Sequence, residues 1–170
     1  SGEESLTDTI MVFELLSNPV YPMPGMKKII QELHERKIPL GIVSNAQFFT
    51  PVIMNWFLTG ELTGKQQIEY FDPEISVFSY QELRAKPDTA LFEKIIPVLE
   101  KKYNLTPGEV FFVGNDMLKD ISTAKKTGFR TVLFAGDDRS LRLYEGDERV
   151  RRLFPDFILN DLHQITRIVQ

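Results

Sequence analysis

Residues 109–116, EVFFVGND, run almost wholly apolar and then end abruptly in an amide and a carboxylate. A strand that offers no polar side to water has to be covered on both faces, and helices crossing between parallel strands supply that cover. Strand-length apolar runs recur in IPLGIVSN (38–45), ISVFSY (75–80), TVLF (131–134) and DFILN (156–160). Helical periodicity fills the intervals. Met26, Ile29, Ile30 and Leu33 predict a helix over about 26–36, and Val52, Ile53, Trp56 and Phe57 one over about 47–58. Asp88 can cap a third running to about Tyr103, which Pro97 should kink. A fourth spans about 118–127 and stops at Gly128, and a short one is expected at 161–169. Strands alternating with helices predict an α/β architecture, with helix layers on a mostly parallel sheet. Ligands of such sheets lie beyond the carboxyl ends of the strands.

At the amino end, TDTIMVFELLS (7–17) reads as one helix. NPVYPMPG (18–25), with three prolines, cannot continue it. The chain therefore divides into a short helical piece, 1–20, and a main domain, 21–170.

Composition removes several kinds of chemistry. The absence of cysteine excludes disulfides, thiolate zinc sites, iron–sulfur clusters and a cysteine nucleophile. His34 and His163 are the only histidines, too few for a histidine-rich metal site, and neither lies near a motif. A formal charge of -4 leaves no footprint for nucleic acid. No stretch approaches the length of a membrane span, and SGEESLTDT is unlike a signal peptide, so a cytoplasmic protein is expected. Trp56, Phe57 and the phenylalanine pairs at 48–49 and 111–112 are expected in the core. Residues 137–152, where Arg139, Arg142, Arg149, Arg151 and Arg152 alternate with acids, are expected to be solvated surface.

Three polar strand ends remain. Ser44 and Asn45 place a hydroxyl and an amide before a helix start, a setting that suits an anion and equally an ordinary cap. Pro87 keeps Lys86 extended, so its ammonium can swing into a cleft as a point charge for phosphate, or simply be solvated. Asp116 and Asp120 are one helical turn apart, and two such carboxylates repel unless a cation lies between them. Magnesium accepts that set, completed by water and phosphate; helix capping would explain the same acids. An anion nest, a lysine and an acid pair are together the parts of phosphoryl transfer.

With these motifs the chain resembles the haloacid-dehalogenase-like hydrolase superfamily. GIVSNA (41–46) looks like its second motif, RAKPDTALF (84–92) its third, and VGNDMLKDISTAKKTG (113–128) its fourth with the helix that follows. The resemblance covers about residues 22–134 and implies a Rossmann-like three-layer αβα core. It implies that Ser44 and Asn45 bind the phosphoryl group and that Lys86 stabilises nucleophile and phosphoryl charge. It further implies Mg2+ on Asp116 and Asp120, with Asn115 helping through its carbonyl. One departure is visible: Gly114–Asn115–Asp116 stands where many members read Gly-Asp-Ser.

The family's nucleophile is the aspartate of a D-x-D pattern ending the first core strand, and no such pattern follows an apolar strand here. Asp8 of TDT has no strand before it, Asp72 of FDPE is no better, and GDD at 136–138 comes too late in the order. In members with a small helical cap, that cap lies between the first and second motifs. Residues 1–20 are thus expected to be the end of a cap. Residues 21–170 would be a core lacking its central first strand, whose partner is the missing N-terminal segment of the same protein. Two strand edges would then have no neighbour. The expected activity is that of a magnesium-dependent phosphatase of small phosphorylated metabolites, acting through an aspartyl-phosphate, with no turnover by this chain alone. A non-enzymatic pseudo-hydrolase or phosphate-sensing interaction domain is one alternative; a haloacid dehalogenase, which needs no magnesium, is another. A response-regulator receiver uses similar groups, but there the Lys–Pro pair comes after the acids.

Overall fold

A computed structural model describes residues 9, 12–14, 16–17 and 19–169. Residues 9, 12–14 and 16–17 are helical, as expected for the 7–17 helix, whose other positions lie outside the described residues. Helix α1, Met26–Glu35, turns Ile29, Ile30 and Leu33 inward. Strand β1 is Ile42–Ser44, and α2, Thr50–Thr59, begins with Pro51 in its first turn. Strand β2 is Ser76–Phe78 and passes directly into a short helix α3, Ser79–Glu82. Helix α4, Ala90–Val98, contains Pro97 and widens into a π-wound turn over Leu99–Tyr103. Strand β3 is Phe111–Gly114. The next helix starts π-wound over Met117–Ser122 and ends as α5, Thr123–Lys126. Gly128, with φ 87°, takes the left-handed conformation that stops it. Strands β4, Arg130–Phe134, and β5, Phe157–Leu159, precede a 3-10 helix at Leu162–Arg167.

Every strand pairing is parallel, as the apolar runs required. The strands form two sheets, β1–β2 and β3–β4–β5. Helices tie the halves together. Phe92 of α4 is fully buried and packs edge-on against Phe112 of β3 (4.7 Å) and against Phe129 (5.5 Å). The same core holds Val43 of β1 and Val77 of β2. Elsewhere, Arg36 at the end of α1 donates to the carbonyls of Thr166 (3.3 Å) and Val169 (2.7 Å), joining α1 to the carboxyl end.

Between the two sheets lies a cleft of about 480 Å³. Residues 38–44 line one wall and 109–115 the other, with Ile95 and Leu99 of the α4 segment, Leu33 of α1, and Ile165 and Val169 completing it. The edges of β1 and β3 therefore face each other across apolar space. All four residues of β3 are only half-buried, whereas Thr131–Phe134 of the neighbouring β4 are all buried.

Three local expectations are corrected. The run 75–80 is strand only at Ser76–Phe78, because Ser79 turns its hydroxyl onto the backbone of Ala46 and opens a helix. Trp56 is not in the core: it is 40% exposed and stacks on Phe57. Residues 137–152 are solvated at Arg139, Arg142, Arg149, Arg151 and Arg152, all exposed as expected, but not throughout. Leu141, Tyr144 and Val150, with Leu153 just beyond, join the apolar cluster of Met117, Leu118 and Ile121, so apolar residues hidden among the charges carry this segment inward. No described helix is long and apolar enough to cross a membrane.

Candidate functional site

The carboxyl ends of β1 and β3 converge on the loop that follows α3. There Lys86, joined to Pro87 by a cis peptide bond, is gripped by Asn45. The Asn45 amide donates to the Lys86 carbonyl (3.0 Å), and the Lys86 N–H donates back to Asn45 Oδ1 (2.8 Å). Asn45 thereby uses both ends of its amide to place the lysine. The Lys86 side chain runs inward and is buried. Its ammonium donates to the carbonyl of Val43 (2.8 Å) and to Asp120 Oδ1 (2.6 Å), and lies 5.2 Å from the centre of the Phe112 ring. The expected freely swinging lysine is thus a pinned one, because a buried ammonium has to find acceptors.

Asp120 is equally constrained. Its Oδ2 accepts the backbone N–H groups of Asn115 (3.1 Å) and Asp116 (3.2 Å). The carboxylate folds back so closely that a Cβ on Gly114 would fall 2.4 Å from Asp120 Cβ, which is why glycine precedes the turn. Asp116 starts the helix. Its Oδ1 accepts the N–H groups of Leu118 (3.0 Å) and Lys119 (2.6 Å), an N-cap, while its Oδ2 accepts the Tyr144 hydroxyl (3.1 Å). Burial, and then the Asp116 carboxylate beside it, raise the Tyr144 hydroxyl above its ordinary range. Asn115 donates its amide to the carbonyl of Ser140 (2.7 Å).

Ser44, Lys86, Asn115 and Asp120 all line one end of the cleft, whereas Asp116 stands behind its wall. Ser44 is half-buried. Neither its hydroxyl nor Asn115 Oδ1 has a hydrogen-bond partner among the described residues. The structure therefore brings together a free hydroxyl, a buried cation, an amide carbonyl and a carboxylate. Its oxygen donors, the hydroxyl, the amide carbonyl and the carboxylate, are of the kind a hard divalent cation takes through one or two carboxylates, with water and phosphate as further ligands. Among the described residues no group of three acidic, histidine or cysteine side chains could hold an ion unaided.

Of the other acids weighed as nucleophiles, Asp8 lies outside the described residues. Asp72 caps the turn Pro73–Ile75, accepts the hydroxyl of Tyr103 and pairs with Lys102 (2.7 Å). His34 is exposed on α1 with its ring against Tyr70 (5.1 Å), and exposed His163 packs on Gly25, both away from the cleft. Sequence reasoning missed Ser79, Ser140 and Tyr144, whose bonds to the Ala46 backbone, the Asn115 amide and Asp116 Oδ2 carry no spacing signal.

Parallel strands under helices, with a lysine–carboxylate pair buried at their carboxyl ends, define an α/β domain with a charged site at its strand ends. The chain belongs to the haloacid dehalogenase-like hydrolase family, whose model matches residues 8–134. It is 22% identical over 148 residues to the glyceraldehyde 3-phosphate phosphatase of Pyrococcus furiosus, covering 87% of this chain and 54% of that protein. The crystal structure of a HAD phosphatase from Thermococcus onnurineus aligns with TM-score 0.61 and 23% identity, over 88% of this chain and 57% of that one. The HAD-hydrolase YfnB of Bacillus subtilis, in a magnesium-bound crystal structure, aligns with TM-score 0.64 and 16% identity, over 87% and 56%. The chain thus spans about half the length of these relatives.

Proposed function

We propose that this chain is the C-terminal part of a cytoplasmic, magnesium-dependent phosphatase of small phosphorylated metabolites. The observation that carries the reading is the convergence of Ser44, Lys86 and Asp120 at one end of the cleft between β1 and β3. The cleft itself suits a further parallel strand, apolar on both faces, with an aspartate at its carboxyl end. A segment of the same protein preceding this chain would supply it. That aspartate would attack phosphorus to give an aspartyl-phosphate, which water then hydrolyses. Ser44 would orient a phosphoryl oxygen with its free hydroxyl. Lys86, already held against Asp120, would neutralise charge on the nucleophile and the phosphoryl group, while Asn45 keeps it in place. Asp120, with the Asn115 carbonyl, would hold Mg2+ at the cleft, and Asp116, which does not line it, would hold the ion through water. When bound, the ion supplies charge neutralisation at the phosphoryl oxygens. The glyceraldehyde 3-phosphate phosphatase relative supports a phosphorylated small molecule as substrate.

A second reading, a pseudo-hydrolase or phosphate-sensing domain, is favoured by one observation. Each carboxylate oxygen of Asp116 and Asp120 already has a protein partner. Phosphate release from sugar and nucleotide monophosphates, with and without the preceding segment and with and without chelator, separates the cases. The expected result is no turnover by this chain alone and chelator-sensitive turnover by the longer polypeptide. No turnover by either favours sensing. Chelator-resistant halide release from 2-haloacids indicates a dehalogenase.

A further inference from the structure

After β4 the chain folds back over the turn that carries Asn115 and Asp116. Arg142 is hydrogen-bonded on both sides of that turn: its N–H donates to the Asn115 carbonyl (2.9 Å), and its own carbonyl accepts from the Met117 N–H (2.8 Å). The result is a single parallel bridge between Arg142 and Asp116. Two side-chain bonds complete the contact, from Asn115 to the Ser140 carbonyl and from the Tyr144 hydroxyl to Asp116 Oδ2.

We propose that residues 140–144 form a strap that sets the acid turn for cation binding, with Tyr144 as its positioning residue. The cation part of this proposal rests on the phosphatase reading; the strap itself does not. Two helix N–H groups hold Asp116 Oδ1, and the Tyr144 hydroxyl is the one partner of its other oxygen among the described residues, so the carboxylate is pinned from both ends. The backbone N–H groups of Asn115 and Asp116 in turn hold Asp120 Oδ2. Asp120 is therefore placed by the backbone of the same turn that the strap holds. The Ser140 carbonyl plays the matching part for Asn115: by taking its NH2 group it turns Oδ1 the other way, towards other ligands. Tyr144 has φ 55°, a left-handed conformation that bulky residues avoid unless their surroundings enforce it. Packing against the buried cluster that includes Met117, Leu118 and Ile121 provides that enforcement.

The test uses Tyr144→Phe, Asp116→Asn and the double variant, with Mn2+ as the probe, bound affinity read by water-proton relaxation, and folding checked by circular dichroism. Tyr144→Phe should stay folded, bind Mn2+ about 3–10-fold more weakly, and add nothing to the effect of Asp116→Asn. Unchanged Mn2+ affinity in Tyr144→Phe, or full additivity, overturns the proposal. Amide hydrogen exchange at Leu118 and Lys119 is measured on the same proteins. If the wild-type chain binds no Mn2+, the phosphatase reading is what fails. The strap then stands only if those amides exchange several-fold faster in Tyr144→Phe, and unchanged exchange overturns it.

Discussion

Lys86 and Asp120 hold each other at the buried end of the cleft. Both side chains are about nine-tenths buried, and the ammonium–carboxylate distance is 2.6 Å. Removing one partner from such a pair leaves an uncompensated buried charge, which costs about 3–5 kcal/mol. Lys86→Met should therefore lower unfolding free energy in urea by about that amount, and Lys86→Met with Asp120→Asn should recover part of it. A loss under about 1 kcal/mol, the value of an exposed pair, would show that the pair is solvated. This scale also shows where sequence reading stops. The residue types at 44, 86, 116 and 120 were legible because lysine before proline and acids one turn apart are patterns along the chain. The Asp116 cap was among the readings that spacing offered, but that Asn45 is spent on the Lys86 backbone and the second Asp116 oxygen on Tyr144 was not legible. Those roles depend on which of several donors arrives first in three dimensions.

Elements were read from hydrophobic runs, and their ends were read less well. Runs 38–45 and 75–80 shrank to Ile42–Ser44 and Ser76–Phe78, since a residue counts as strand only while it has a neighbour to pair with. The stop at Gly128 was legible because glycine alone adopts that backbone freely. The short β5 depends on a side chain. Asp156, just before it, accepts both the N–H and the hydroxyl of Thr131 on β4 (2.7 Å each) and pairs with Lys125 (2.9 Å). Burial alone would raise the Asp156 carboxyl, but the Thr131 and Lys125 bonds outweigh it and hold it down at about 2. A lowered native pKa stabilises the fold above the unfolded value of 3.8, and that stability is lost as pH falls towards 2. Asp156→Ala should thus cost about 1–2 kcal/mol at pH 7, discounted for partial exposure, with the gap to wild type narrowing below pH ~4. Thermal melts across pH 2–7 measure it, and a gap that widens towards low pH would refute the assignment.

For the whole molecule, the consequential feature is the split sheet. The missing D-x-D pattern suggested unpartnered strands, and the cleft between β1 and β3 is where their edges face each other. Its walls, 38–44 and 109–115, match a strand of about five to seven residues at ~3.3 Å each. A peptide of that length, apolar and ending in aspartate, should slow amide exchange in β1 and β3 and raise the melting temperature; a scrambled peptide should not. Equal protection by both would mean the cleft is only a sticky apolar surface. The convergence of the site is the claim on which the functional reading rests, and tungstate, a phosphate mimic, tests it without requiring turnover. Titrated into isotope-labelled protein with magnesium present, tungstate should shift the resonances of Ser44, Asn45, Lys86 and residues 115–120 together, with one affinity. Shifts elsewhere, or at only one of those strand ends, would contradict a shared phosphate site.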